Sequence, residues 1–299
     1  MRNKEQKTLN LSGYPDYQEI LIDSTGVQIA LSIFPVNETA PCVIFLPGTM
    51  THPLFYDDFL TLLAERGFNV VGVHLISHGK SPRIRQDYTF EDMVENVRDT
   101  ISYCKTRFSG KIILMGSSQG GILSTAVAAV DTRISLVFAH NVLIPSLKES
   151  VRITRFPPWT ASFHRIIPTF MCACASFFPK LQIPLSVYLD PKKITASQEI
   201  LDQVYNDPIG LTQYPLRFLA SLFSADLSGL TDGSLKCPVV VVLSKDDPLF
   251  PYEYTHLVYN KIVAGKKEML LLNEPCHLIF NEYPERIIDP IAEKLKAYC

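Results

Sequence analysis

Short apolar runs alternate with longer amphipathic segments along most of the chain, which limits it to folds built from βα units around a parallel sheet. The apolar runs are Val27–Phe34, Cys42–Leu46 ("CVIFL"), Phe68–His74 ("FNVVGVH"), Lys111–Met115, Ile134–Ala139, Pro238–Ser244 ("PVVVVLS") and Lys267–Leu272. Each reads as a strand. Between them, "FYDDFLTLLAERG" reads as a helix closed by Gly67. "TFEDMVENVRDTISYCKTRF" sets Phe90, Met93, Val94, Val97, Ile101, Cys104 and Phe108 on one helical face, with Thr89 and Asp92 as a capping pair. Helices are also predicted over Gly120–Val130, near Tyr252–Val263 and over Pro284–Tyr298.

The rhythm breaks between Val142 and Asp232. Nine of the 21 prolines and the single tryptophan fall there, and proline at that density favours short helical pieces. Residues 142–232 are read as a helical lid inserted into a core made of 1–141 and 233–299, the alternative being a second independent domain. With 47% apolar and 19% charged residues there is ample material for a core. A formal net charge of −2 argues against nucleic acid as a main partner. The start of the chain has no apolar h-region, and the longest apolar stretch, Ile166–Phe178, is interrupted by Pro168 and too short to span a bilayer. A cytoplasmic chain without stable membrane insertion is therefore expected. Seven scattered cysteines suggest reduced, buried thiols. Cys172 and Cys174 stand without a second pair, so no zinc site or other metal is expected.

The stretch "KIILMGSSQGGIL", Lys111–Leu123, runs from strand through a sharp turn into a helix of small residues. A turn tight enough to present a nucleophile tolerates only glycine-sized side chains two residues before and two after it. Centred on Ser118, those positions are Gly116 and Gly120; centred on Ser117, they are the bulky Met115 and Gln119. Ser118 is therefore the candidate nucleophile. A serine hydroxyl needs a base, and the base an orienting carboxylate. Both occur downstream at strand ends: Asp246 and Asp247 follow "VVVVLS", and His277 lies in the loop after the last strand.

These residues, in the order Ser–Asp–His, resemble the α/β-hydrolase fold family, in particular its serine-esterase and monoacylglycerol-lipase-like branch. The resemblance covers nearly the whole chain outside the lid. It implies a mostly parallel sheet flanked by helices, with an inserted lid, and a serine hydrolase acting on carboxylic esters. Alignment of the family's acid loop, G-x-x-D-x-x-x-P, on the trailing Pro251 selects Asp247 over Asp246, and the histidine loop matches His277-Leu278-Ile279-Phe280 with Pro284-Glu285. The preceding strand ends in His140-Asn141, which offers no acid. The family's His-Gly after the third strand is replaced by Pro47-Gly48-Thr49-Met50. Backbone N–H groups would form the oxyanion hole, so Gln119 and Thr49 are the expected donors, with Met50 the fallback. Of the family's D-x-R-G-H-G-x-S turn, His78, Gly79 and Ser81 remain, and His78 reads as structural.

No cofactor is implied. The lid's Phe156, Trp159, Phe163, Phe170, Met171, Phe177 and Phe178 suit a lipophilic acyl or aromatic group, with Trp159, Phe163, Phe170 and Phe177 as candidate substrate contacts. Their alternative role is the lid's own small core. A peptidase, thioesterase or acyltransferase would use the same three residues, and a non-catalytic binder could keep the same fold. The expected partner is a small-molecule ester; oligomeric state is not legible.

Overall fold

The computed structural model describes residues 12–299. Eight strands form one sheet: β1 (Gln18–Ser24), β2 (Val27–Phe34), β3 (Cys42–Leu46), β4 (Asn69–His74), β5 (Ile112–Ser117), β6 (Leu136–His140), β9 (Val239–Ser244) and β10 (Lys267–Leu272). Strands β7 (Gln182–Pro184) and β8 (Gln213–Pro215) form a separate antiparallel ribbon. The sheet order is β1-β2-β4-β3-β5-β6-β9-β10. β2 pairs antiparallel with β1 and β4, and every other pairing is parallel.

The inner strands are buried on both faces, which is why they read as continuous apolar runs rather than alternating ones. Ile44, Leu114, Val137 and Val241 point to one face, packing with Val97 and Ile101 of helix Phe90–Arg107, Leu123 and Val127 of helix Gln119–Val130, and Val258 of helix Tyr252–Lys261. Phe45, Met115, Phe138 and Val240 point to the other, against Phe59 and Leu63 of helix Asp57–Glu65 and Ile287 and Ile291 of helix Pro284–Lys296. The capping pair forms as a reciprocal box: Asp92 N–H donates to Thr89 Oγ1 at 3.2 Å and Thr89 N–H to Asp92 Oδ2 at 2.8 Å.

The sequence reading omits β1, a polar strand at the sheet edge. It is joined to β2 by Thr25-Gly26, both at positive φ (52° and 77°), as a two-residue hairpin turn requires. Strands β5 and β6 each run further than their apolar runs suggest, ending at Ser117 and His140. Ser117 lies opposite His140 in the register, which puts the residues after both strands side by side.

Between β6 and β9 the chain leaves the sheet and builds a cap of short elements. Its longest helix is Ile166–Phe177, in which Pro168 occupies the first turn, where a missing N–H forfeits no in-helix bond. That helix packs through Ala175, Met171 and Cys172 against helix Leu216–Phe223. Tyr214, Phe218 and Leu222 continue into the first-face core, so the cap is seated on the sheet's helical layer. Among the described residues, no helix is long and apolar enough to cross a membrane.

Candidate functional site

The elbow after β5 is held in an unfavourable backbone conformation by its neighbours. Ser118 has φ 52° and ψ −113°, a left-sided geometry that ordinary residues avoid. The glycines around it are required by close backbone approach. A Cβ on Gly116 would lie 2.0 Å from the Gly120 carbonyl oxygen, one on Gly120 2.0 Å from Leu46 O, and one on Gly121 2.3 Å from Asn141 O. The packing of β3, β5 and β6 thus accounts for the spacing that singles out Ser118. Ser117 is buried at the strand end, and no imidazole is hydrogen-bonded to it.

Three side chains from separate loops meet at this turn. Ser118 Oγ lies 2.9 Å from His277 Nε2, and His277 Nδ1 lies 2.9 Å from Asp247 Oδ2. Asp247 follows β9, and its other oxygen, Oδ1, accepts the N–H groups of Leu249 at 2.8 Å and Phe250 at 2.9 Å. Burial would raise the Asp247 pKa, but the opposing pull of the His277 charge and hydrogen bond, with His140 and the Phe250 amide, holds the carboxyl below its ordinary range. Asp246 is exposed. The Phe250 ring stacks on the His277 imidazole, with centroids 5.5 Å apart and planes inclined by 7°, and limits its rotation.

Two residues that the sequence reading dismissed complete the surroundings. Asn141, at φ 63°, donates its Nδ2–H to Asp247 Oδ2 at 2.9 Å. The strand end that lacks an acid therefore supplies a donor to the acid on the neighbouring loop. His140 is fully buried, 5.6 Å from the His277 ring. Burial first, then the proximity of His277, lowers its pKa to about 3, so it is a neutral wall at ordinary pH. His140, Asp247 and His277 also group three potential metal-ligand atoms within 4.8 Å. Both Asp247 oxygens are already filled by amide and imidazole donors, and His277 Nε2 faces Ser118, a donor set arranged for a hydrogen-bonded relay.

Gln119 opens helix Gln119–Val130, so its N–H is one of the first-turn amides with no acceptor inside the helix. The loop after β3 lies alongside: a Cβ on Gly48 would fall 3.6 Å from Ser118 Cβ. Among the described residues the Thr49 N–H has no hydrogen-bond acceptor. The Met50 N–H is instead donated to Tyr214 Oη at 2.8 Å. His78, read as structural, is buried and bonded to Ile76 O and Tyr214 Oη. The cap residues Trp159, Phe163, Phe170 and Phe177 are exposed on the cap, Trp159 meeting Phe163 edge-on at 6.2 Å. None of the four shares a hydrogen bond or ring contact with Ser118, Asp247 or His277.

A mostly parallel sheet flanked by helices, a cap inserted after β6, and a strained serine at a strand-to-helix turn define the class of the α/β-hydrolases. The family model described as serine aminopeptidase, S33, matches residues 37–284, and the chain belongs to that family. Among solved structures, the monoacylglycerol lipase of Paleococcus ferrophilus superposes with a TM-score of 0.72 at 21% identity, covering 91% of this chain and 99% of that one. A soluble variant of the Saccharomyces cerevisiae monoglyceride lipase, in complex with a substrate analogue, gives 0.73 at 17% identity, covering 96% and 99%. At those identities the likeness concerns the fold. A curated relative from Mycobacterium phage D29, named "Putative non-heme haloperoxidase", is 30% identical over 111 residues, 37% of this chain and 38% of its own length.

Proposed function

We propose that the chain is a serine hydrolase that cleaves carboxylic esters, with Ser118 as nucleophile, His277 as general base and acid, and Asp247 as the orienting carboxylate. The observation that carries this reading is the continuous line Asp247–His277–Ser118, with 2.9 Å at each link. An ionised Asp247 accepts Nδ1–H, which leaves the lone pair of His277 on Nε2, facing the Ser118 hydroxyl. Ser118 Oγ attacks the ester carbonyl carbon while Nε2 takes its proton. The carbonyl oxygen gathers the negative charge and is received by the Gln119 and Thr49 amides, each such donor being worth about 3 kcal/mol of barrier. Collapse expels the alkoxide, which leaves as an alcohol with the proton from Nε2. Water then attacks the acyl-enzyme by the same proton path in reverse, releasing the acid and free Ser118. The relay needs no metal or organic cofactor.

Residues 142–232 are taken as the lid over a core of 1–141 and 233–299. Its exposed Trp159, Phe163, Phe170 and Phe177 favour a lipophilic acyl or aromatic ester, and the monoacylglycerol lipases among the structural neighbours are in keeping with that. The S33 family description favours a second reading, amide cleavage by the same residues. Turnover of p-nitrophenyl esters of rising acyl length, set beside aminoacyl p-nitroanilides, separates the two. The ester reading expects faster cleavage of the longer esters and little amide turnover. Full ester turnover by a Ser118→Ala variant would overturn both.

A further inference from the structure

Met50 is the one strained residue in the loop that follows β3. Its φ is 62°, a left-handed conformation that non-glycine residues ordinarily avoid. Both of its backbone polar groups are held by the cap. The Met50 N–H donates to Tyr214 Oη at 2.8 Å, and the Met50 carbonyl accepts from Leu211 N–H at 3.1 Å.

The chain of bonds continues inward with its direction set at every step. His78 Nδ1 lies 2.8 Å from the Ile76 carbonyl oxygen, which can only accept, so Nδ1 carries the hydrogen. His78 Nε2, 3.0 Å from Tyr214 Oη, is then the acceptor, and the tyrosine hydroxyl donates to it. Burial lowers the His78 pKa to about 4, which keeps the ring neutral and that lone pair available. Tyr214 Oη is left with its own lone pairs for the Met50 N–H. Two residues further along the loop, His52 Nε2 pairs with Asp207 Oδ2 at 2.7 Å, while Asp207 Oδ1 accepts from Ile209 N–H at 3.0 Å and Gly210 N–H at 3.2 Å. One stretch of cap, Asp207 to Tyr214, therefore grips the loop at Met50 and at His52. On the other side of Thr49, the Gly48 N–H is tied to Tyr56 Oη at 3.2 Å. The residue held between these two anchors is Thr49.

We infer that Tyr214 is a positioning residue for the reaction: from the cap it fixes the Met50 backbone, and so aims the adjacent Thr49 N–H at the developing oxyanion. This rests on the reading of Ser118 as nucleophile. It makes the cap a part of the working site as well as its cover, because a cap that lifts away takes the anchor of an oxyanion donor with it.

The alternative is that Tyr214 is only a core anchor, since it is fully buried and its ring lies 4.5 Å from Phe218. Tyr214→Phe removes the hydroxyl and keeps the ring. If Tyr214 positions the amide, kcat on a p-nitrophenyl ester falls roughly tenfold, less than the loss from deleting an oxyanion donor outright, while KM stays within twofold. Affinity for a trifluoromethyl ketone analogue of the tetrahedral state falls by the same factor as kcat/KM. If Tyr214 only packs, melting temperature drops and kcat per folded molecule is unchanged; that result, or a loss confined to KM, overturns the inference. Should Tyr214→Phe not fold, Asp207→Asn carries the test. It keeps an oxygen for the Ile209 and Gly210 amides but replaces the carboxylate bound to His52, and about a threefold loss in kcat at unchanged KM is expected. Wild-type kcat in Asp207→Asn overturns the clamp. Ser118→Ala is assayed alongside. If it is inert and Tyr214→Phe is fully active, only the present inference falls; if Ser118→Ala turns over normally, the reading of the whole site fails.

Discussion

Adding one methyl group at the elbow should cut turnover at least about 100-fold, while the same change at Gly265 should be silent. A Cβ on Gly116 or Gly120 would stand 2.0 Å from a backbone carbonyl oxygen, and one on Gly121 2.3 Å from another. Ordinary contact begins near 3.4 Å, so the backbone has to give by more than 1 Å, and none of the obstructing atoms is the end of a flexible side chain. Overpacking of this kind typically costs about 1–3 kcal/mol of stability. At ~2–4 °C per kcal/mol for a domain of this size, melting should drop by about 2–12 °C. The functional loss should be larger: a shift of about 1 Å in a reacting group costs roughly 100-fold, and the 2.9 Å link from Ser118 to His277 cannot survive it. Gly265 has nothing within 4 Å of a built Cβ and no left-handed backbone, so Gly265→Ala serves as the control. The assay is ester turnover per folded molecule together with thermal melting. Wild-type kcat in any of the three elbow variants would refute the claim that close packing of β3, β5 and β6 aims Ser118.

Asn141→Gly keeps the left-handed backbone and removes the amide that donates to Asp247 Oδ2. A hydrogen bond to a charged group is worth about 1.5–3 kcal/mol, so kcat should fall roughly tenfold or more. The Asp247 pKa should rise, because a donor to its charged form is gone; a carboxyl titration followed by NMR that does not move would count against the assignment. His140 has its pKa lowered to about 3 by burial, so the unfolded chain binds a proton there below pH ~6.5 while the native state does not. Its contribution is complete above pH ~6.5 and is lost as pH falls toward 3. Urea unfolding from pH 7 to 4 should show that slope reduced in His140→Gln by up to about 1.4 kcal/mol per pH unit. An identical slope in the variant would contradict the buried, neutral assignment.

The elbow was legible because its constraint is local. Glycine at two fixed offsets from Ser118 follows from the sterics of one turn, and in the structure a Cβ at either position would stand 2.0 Å from a carbonyl oxygen. Asp247 and His277 were legible because each follows an apolar run that reads as a strand, the buried β9 and the edge strand β10, where a parallel sheet presents its loops. Asn141 was passed over because its contribution depends on β6 and β9 being neighbours in the sheet, a fact of strand order that no local pattern encodes. Tyr214 was invisible for a similar reason: it meets Met50 across 164 residues of sequence, from a proline-rich segment without helical or strand periodicity. β1 escaped notice because an edge strand carrying Gln18, Glu19 and Asp23 offers little apolar signal. The aromatic residues of the cap could be found by composition, but not which way they face; Trp159, Phe170 and Phe177 lie at the surface.

The most direct test of the account is covalent labelling by an alkyl fluorophosphonate, followed by peptide mass mapping. The account predicts one adduct, on Ser118 in the peptide that also contains Ser117, with labelling slowed at least about 1,000-fold in His277→Ala, where the base is gone. An adduct on Ser117, or a folded protein that resists the reagent altogether, would contradict it.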